Sequence, residues 1–439
     1  MRARKRSLTL KLYMNNTFVG LLKKMPNGAL HFTYDESWVN SPVSIPLSLS
    51  LPLTTRTYSG DIVINYFDNL LPDNEGIRKA LAQRMSIHSQ EVYDLLAAIG
   101  RDCVGAVQLI PSEEDIGPDN GMQASPISNG EIATILRNLK SYPLGLKPGD
   151  DFRISIAGAQ EKTAFLKLDD KWHIPHGTTP SSHIFKVQMG LLRDSVDMSQ
   201  SVENEWLCLK ICKEFGVPVA EAEIADFEDI RTLIVKRFDR EFTSKGILRY
   251  AQEDFCQVFG VSSSQKYENE GGPGIVKIIE TLTKSDNPTE DKTIFMKSQI
   301  IFWLLAAIDG HAKNFSVFLV PDGIRITPLY DVMSAHPLIE KGQLQFEKAK
   351  LVMAVGDNRH YKIREIRRRH WLQTAKKAQF PEFEMNRVIN ELIEKTPQVI
   401  ENVSKILPPG FPSEVADSIF NRIRSSALLL KETTVEGVR

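Results

Sequence analysis

A chain of 439 residues, 42% hydrophobic and 25% charged, has the composition of a soluble globular protein with apolar material for more than one core. Lys and Arg number 54 against 55 Asp and Glu, a formal net charge of −1, which excludes a molecule that holds nucleic acid or membrane through overall charge and leaves only local patches for such contacts. The longest apolar run, Ile300 to Ile308, falls far short of the roughly 18 residues a bilayer span requires and reads as a buried helix.

In chain order, Met1-Arg-Ala-Arg-Lys-Arg6 has the charge of a signal-peptide start, but Lys11 interrupts the stretch behind it and no secretory core follows. Cys103, Cys208, Cys212 and Cys256 form no CxxC pair and suggest neither a disulfide framework nor a zinc site, which fits a reducing cytoplasm. Strands are predicted at Leu8–Tyr13, Thr17–Lys23 and Ala29–Thr33, separated by the turn signals Asn15-Asn16 and Pro26-Asn27-Gly28. Helical patterns follow at 74–86 and 90–99, and the stretch from Pro111 to Gly130, rich in acidic residues, Pro, Gly, Ser and Asn, reads as a linker. Strand-like runs dominate between Asp151 and Arg240 (Thr163–Leu168, His183–Val187, Thr232–Arg237), with a helix at about 202–215, and helices take over from Asp254. The expected organisation is a β-rich N-terminal subdomain over 1–110, a linker over 111–130, a mixed α/β part over 131–252 and a helical lobe over 253–439. An α+β, two-lobed nucleotide-binding fold with a cleft between its lobes suits this order.

The most informative segment is Ile308-Asp309-Gly310-His311-Ala312-Lys313-Asn314-Phe315, directly behind the apolar run. A carboxylate and an amide five apart have a use in phosphoryl transfer: Asp309 takes the proton of the attacking hydroxyl while Asn314 coordinates a Mg²⁺ on the phosphates. Gly310 permits the tight turn. Ser316–Val320 and Ile324–Thr327 read as strands around Pro321-Asp322-Gly323, a hairpin that returns the chain so that Asp331 reaches Asn314 as a second metal ligand. Asp331 takes the role of the Asp in an Asp-Phe-Gly motif, although Leu329-Tyr-Asp-Val-Met333 lacks the Phe-Gly. The alternatives are a polar loop with capping carboxylates, and a metal-dependent hydrolase using Asp309 and His311 as ligands, for which His336 is the other nearby histidine.

Upstream, Phe152-Arg-Ile-Ser155-Ile-Ala-Gly158-Ala-Gln-Glu-Lys162 sets small residues between two strand-like runs, where backbone N–H groups can approach phosphate oxygens; it has neither a Walker A nor a Gly-x-Gly-x-x-Gly pattern, and a plain hairpin turn is an equal reading. Lys186 lies in an alternating strand and pairs with α/β-phosphates if it faces a cleft; otherwise it is a solvated strand lysine. Glu203 and Glu205 both stand where an ion-pair partner for it would, and spacing does not choose. Arg237-Phe238-Asp239-Arg240 ends a strand where a hinge would present backbone to an adenine ring. One basic patch stands out in the neutral chain: Arg364, Arg367, Arg368, Arg369, His370, Lys376 and Lys377, readable as a solvated helix face or as a phosphate-contacting surface.

Together with Tyr66-Phe-Asp-Asn-Leu-Leu-Pro72, Ile99-Gly-Arg-Asp102, Val104-Gly-Ala-Val107 and Gln252-Glu-Asp254, these segments make the chain resemble the HipA family of toxin kinases from about Leu10 to the C-terminal helices. The resemblance implies a protein-kinase-like (phosphatidylinositol-kinase-like) fold, an ATP- and Mg²⁺-dependent serine/threonine kinase, a small helix-turn-helix HipB-like antitoxin that restrains it, and operator DNA bound through that complex, so that toxin and antitoxin act as co-repressors. It also implies a translation enzyme as target, glutamyl-tRNA synthetase for the best-known type, with growth arrest, persistence and antibiotic tolerance as outcome. By position, Ala157, Gly158, Ala159, Gln160, Glu161 and Lys162 would bind phosphate, Lys186 would pair with it, and Lys236, Arg237 and Phe238 would form the hinge. Asp309 would be the base, Gly310, His311 and Tyr330 would line the ATP site, and Asn314 and Asp331 would hold Mg²⁺. Ser155 would be autophosphorylated, and Lys376 and Lys377 would touch operator DNA. This chain departs from the family example in having Gln379 where a basic residue follows that stretch and Lys236 at an acidic hinge position. A small-molecule kinase and a catalytically idle DNA-complex subunit are the competing functions.

Overall fold

The computed structural model describes residues 8–87, 89–114, 122–146, 153–158, 160–192 and 196–431. The chain divides into two compact units: one of 1–187, 225–264 and 316–322, the other of 188–224, 265–315 and 323–439.

In the first unit, Thr9–Met14 pairs with Thr17–Lys24 through Asn15 and Asn16, whose φ values of 47° and 62° place two consecutive residues in the left-handed region that a two-residue hairpin needs and asparagine tolerates. Leu10, Leu12 and Met14 point inward at every second position. The antiparallel sheet has the order Thr57–Ser59, Leu30–Tyr34, Thr17–Lys24, Thr9–Met14, Val107–Pro111. Gly20 is obligatory within it, since a Cβ there would stand 2.3 Å from the Thr33 carbonyl oxygen. A second, six-stranded sheet has the order Ala222–Phe227, Ile230–Lys236, His183–Val187, Lys162–Leu168, Lys171–Pro175, Ala124–Pro126. The helix Asn129–Arg137, started by a Ser128/Glu131 capping box, lays Ile132, Ala133 and Leu136 against Phe165, Phe185, Phe227 and Ile234 of that sheet. The stretch expected to be a linker therefore contributes an edge strand and a helix start; residues 115–121 lie outside the described residues.

A buried ionic cluster occupies the middle of this unit. The Asp102 carboxylate accepts from the Ser181 N–H at 2.9 Å and from its hydroxyl at 2.7 Å, and pairs with Arg240 at 2.9 Å and Arg237 at 3.3 Å. Asp239 accepts from Arg237 at 2.9 Å and from the Gly105 N–H at 2.7 Å. Burial by itself would raise the Asp102 carboxyl, but Arg237, Arg240 and Arg249 outweigh it and hold it well below the usual carboxylate range. The family segments Ile99–Asp102 and Gln252–Asp254 meet here: Gln252 donates to Asp239, Glu253 accepts from the Ser48 hydroxyl and the Leu49 N–H, and Asp254 caps the helix Phe255–Phe259. Tyr66 and Phe67 sit in a helix, Asp61–Asp68, that the sequence reading did not predict, and Asn65 and Asn69 on the same turns donate to the Gly260 and Val261 carbonyls.

The second unit is mainly helical, with Ser201–Glu214, Ile275–Thr281, Pro288–Leu305, His336–Glu340, Arg368–Lys377, Glu382–Lys405 and Ser413–Lys431. Glu382–Lys405 repeats apolar residues at helical spacing (Met385, Val388, Ile389, Leu392, Val399, Val403) and packs that stripe on Ser413–Lys431, Ser201–Glu214 and Pro288–Leu305. Pro288–Leu305 opens with Pro at its first position and is buried on all sides from Phe295 onward, as its apolar run requires. No described helix is long and apolar enough to cross a membrane. All four cysteines are buried and form no disulfide.

Burial pushes the Glu253 carboxyl up to about 8. A raised folded-state value means that the stability this group confers is complete below the ordinary carboxylate value of 4.5 and is lost as pH rises through about 8. Glu253→Gln, which keeps a polar partner for Ser48 and Leu49, is expected to flatten the melting temperature against pH between about pH 5 and 8, as calorimetry checks.

Candidate active site

In the second unit, Pro288–Leu305 ends at Ala306, whose left-handed φ of 49° turns the chain out of the helix and into the Asp309 loop. Gly310 follows against the Phe302 ring: a Cβ would lie 2.4 Å from Phe302 Cδ2, and that ring is itself packed on Phe315 at 5.3 Å. The glycine is therefore required by contact with the Phe302 ring, not by a left-handed backbone. Asp309 presents its carboxylate outward, 65% exposed, while His311 beside it is buried.

Asn314 ties the loop to the returning chain. Its Nδ2 donates to the Asp309 carbonyl at 3.0 Å and to the Asp331 carbonyl at 3.3 Å, so the two acidic residues are linked through one amide. Asp331 has a φ of 58°, a conformation that Asp tolerates better than bulky residues. The segment behind Asp331 is pinned: Ser334 exchanges hydrogen bonds with Asn204 at 2.8 Å in both directions, its hydroxyl donates to the Leu305 carbonyl, and the Ala335 N–H reaches the Ala306 carbonyl. Tyr330 donates to the Lys313 carbonyl at 2.8 Å. The strands Ser316–Val320 and Gly323–Ile326 are both formed. Glu203 accepts from Gln188 at 2.7 Å.

Mg²⁺ takes hard oxygen donors and usually only one or two carboxylates, its other positions going to water and substrate phosphate. An amide oxygen from Asn314 and a carboxylate from Asp331, residues joined by the hydrogen bond from Asn314 to the Asp331 main-chain carbonyl, are donors of the types that fit that set. Among the described residues no cluster of three or more His, Cys, Asp or Glu forms a protein-only metal cage, the arrangement a hydrolase reading would favour.

In the first unit, Lys162 and Lys186 are directly opposed across the antiparallel strands Lys162–Leu168 and His183–Val187, and both are buried. Opposed residues share a face, and like charges there repel. Their burial and register place two lysines side by side on this sheet. Lys162 Nζ donates to the Ala157 carbonyl at 2.8 Å and closes the loop on itself. Gly158 has φ 107°, and a Cβ there would stand 2.5 Å from that ammonium. The Gly158 carbonyl accepts from the Asp73 N–H and Gln160 donates to the Val187 carbonyl, fixing the two ends of the loop; Glu161 is half-buried, and Ala159 lies outside the described residues.

Ser155 is fully buried, bonded through its N–H to the Asp102 carbonyl and through its hydroxyl to the Leu70 carbonyl at 2.7 Å. At the strand end, Lys236 is exposed and Phe238 packs edge-on against Phe318, whereas the Arg237 guanidinium is absorbed in the ionic cluster, which leaves the main chain for any ligand contact there. Of the basic patch, Arg368 donates to Asn386 and Asn390, Arg367 to the Arg364 and Ile366 carbonyls, and Arg369 to His370, whose imidazole is driven down to about 4 by burial and the neighbouring His360. Lys377 pairs with Asp357 at 3.3 Å, while Lys376 is exposed. Sequence reasoning missed Tyr267, whose hydroxyl donates to Asp309 Oδ1 at 2.9 Å.

Gly310→Ala is expected to lower stability by about 1–3 kcal/mol through overpacking against Phe302, with the loss seen as a reduced unfolding midpoint in urea.

A family model for the HipA-like C-terminal domain matches residues 154–400, and one for the HipA N-terminal domain matches residues 10–110. The serine/threonine-protein kinase toxin HipA of Shewanella oneidensis is 28% identical over 368 residues, covering 80% of this chain and 79% of that protein. Y4mE of Sinorhizobium fredii is 29% identical over 401 residues, covering 90% of this chain and 91% of its own. A chain of the solved complex of Shewanella oneidensis MR-1 HipA, HipB and operator DNA has the same fold, with a TM-score of 0.80 at 24% identity over 96% of this chain and 97% of that one.

Proposed function

Since the chain belongs to the HipA family of serine/threonine protein kinase toxins, we propose that it transfers the γ-phosphoryl group of ATP to a protein serine with Asp309 as base, and that Asn314 and Asp331 hold the Mg²⁺. The observation that carries this reading is the Asn314 amide, which gathers the Asp309 and Asp331 segments at 3.0 and 3.3 Å. Bound Mg²⁺ supplies neutralisation of the charge that develops on the phosphate oxygens.

By the family resemblance, Lys162, Lys186 and the glycine-bearing loop 157–162 are the phosphate-binding residues in this reading. Main-chain groups of Lys236, Arg237 and Phe238 meet the adenine, with His311 and Tyr330 lining the nucleotide. The acceptor hydroxyl gives its proton to the Asp309 carboxylate as its oxygen bonds to the γ-phosphorus; the bond from that phosphorus to the β-phosphate oxygen breaks, and ADP leaves.

Ser155 is the autophosphorylation site in this reading. Its burial makes the modification a switch: a phosphate adds about two negative charges, and no room for them exists while the hydroxyl is held on Leu70. Segment 154–157 must leave its place before phosphorylation, and the charge keeps it from returning to a phosphate-binding arrangement. The partner is a HipB-like helix-turn-helix antitoxin, with operator DNA reached through the complex, as the Shewanella oneidensis assembly of HipA, HipB and operator DNA supports. Exposed Lys376 is then a better phosphate contact than the Asp357-paired Lys377. The protein substrate is a tRNA synthetase, which links the kinase to growth arrest and drug tolerance.

Incubation of dephosphorylated protein with γ-labelled Mg·ATP is expected to place label on Ser155, to lose it on chelation of Mg²⁺ or in Asp331→Asn, and to leave a Ser155-phosphorylated form that no longer binds ATP. Absence of label from protein that binds ATP, or full ATP binding by the phosphorylated form, contradicts the reading.

A further inference from the structure

Loop 265–274 reaches the catalytic segment at two successive residues. The Lys266 carbonyl accepts from the Ala312 N–H at 3.2 Å, and the Tyr267 hydroxyl donates to Asp309 Oδ1 at 2.9 Å. The Tyr267 ring stands edge-on to buried His311, with centroids 5.4 Å apart and planes at 79°. The other Asp309 oxygen, Oδ2, lies 4.0 Å from His311 Nε2.

The loop is built to hold a fixed shape. The Gly272 N–H closes on the Tyr267 carbonyl at 2.9 Å, and a Cβ on Gly272 would sit 2.4 Å from the Gln265 carbonyl oxygen. A Cβ on Gly274 would sit 2.4 Å from the Glu268 carboxyl carbon. That carboxylate accepts from the Ala354 N–H at 2.5 Å and pairs with Arg359 at 3.2 Å, anchoring the residue next to Tyr267 on the strand Lys350–Val355. A rigid knuckle thus delivers one hydroxyl to one oxygen of a carboxylate that is otherwise 65% exposed.

We propose that Tyr267 is a positioning residue for phosphoryl transfer: by holding Oδ1 it fixes the Asp309 rotamer and turns Oδ2 to the acceptor hydroxyl. The inference rests on Asp309 being the base. A hydrogen bond to one oxygen narrows the rotamers open to an exposed loop carboxylate, and a base held in the reactive orientation before the acceptor arrives lowers the barrier without tightening nucleotide binding.

The test uses the full chain as wild type, Tyr267→Phe and Asp309→Asn, with the maximal rate of transfer from labelled Mg·ATP and the half-saturating Mg·ATP concentration read separately, alongside melting temperature. Tyr267→Phe keeps the ring on His311 and removes only the hydroxyl. Its maximal rate should fall about tenfold, the worth of one hydrogen bond, with half-saturation and melting temperature unchanged. A rate equal to or above wild type, a change confined to half-saturation, or a loss that follows a lowered melting temperature overturns the proposal. Wild-type rate in Asp309→Asn instead withdraws the base assignment, whatever Tyr267→Phe does.

Discussion

The side-chain amide of Asn314 donates at once to the Asp309 and Asp331 carbonyls, and the geometry of the second unit's chemistry hangs on that double donation. Both carbonyls belong to segments that secondary structure does not fix: Asp309 lies past the end of a helix, and Asp331 adopts a left-handed conformation past a strand. Packing supplies the rest of the restraint. Phe302 leaves no space beside Gly310, and Asn204 and Leu305 hold Ser334 behind Asp331. The loop is irregular in backbone and strongly determined in position, the combination expected where functional groups are carried on a rigid scaffold.

The first unit shows a different economy of charge. Asp102 and Asp239 neutralise arginines 237 and 240 inside the fold, and these ion pairs join the chain at Asp102 to the chain at 237–240. Breaking such a buried pair leaves an uncompensated ion and costs roughly 3–5 kcal/mol. Lys162 and Lys186 are likewise buried, opposite each other on neighbouring strands.

Much of this was legible in the sequence because it is local. The Asn15-Asn16 hairpin, the buried helix before Asp309 and the five-residue spacing of Asp309 and Asn314 follow from short-range pattern, and the resemblance to HipA kinases rested on motifs of the same kind. What was not legible depends on tertiary contact. Tyr267 is 42 residues from Asp309 and lies in a Ser- and Gly-containing loop with no periodic signal. Arg237 read as a hinge residue, and nothing in Arg237-Phe238-Asp239-Arg240 says that its guanidinium belongs to Asp102, 135 positions away. Tyr66-Phe-Asp-Asn-Leu-Leu-Pro72 was visible as a motif while the use of its Asn69, satisfying the Val261 carbonyl next to the bond from Asn65 to Gly260, was not. That Lys186 is buried opposite a second lysine likewise depends on strand register and could not be read from spacing.

The central claim is that Asp309 is the base of a phosphoryl transfer, and the most direct measurement compares wild type with Asp309→Asn for both transfer from labelled Mg·ATP and equilibrium ATP binding. The account predicts that the variant binds ATP as wild type does and loses transfer by a factor of at least about 10². Undiminished transfer by Asp309→Asn would contradict it.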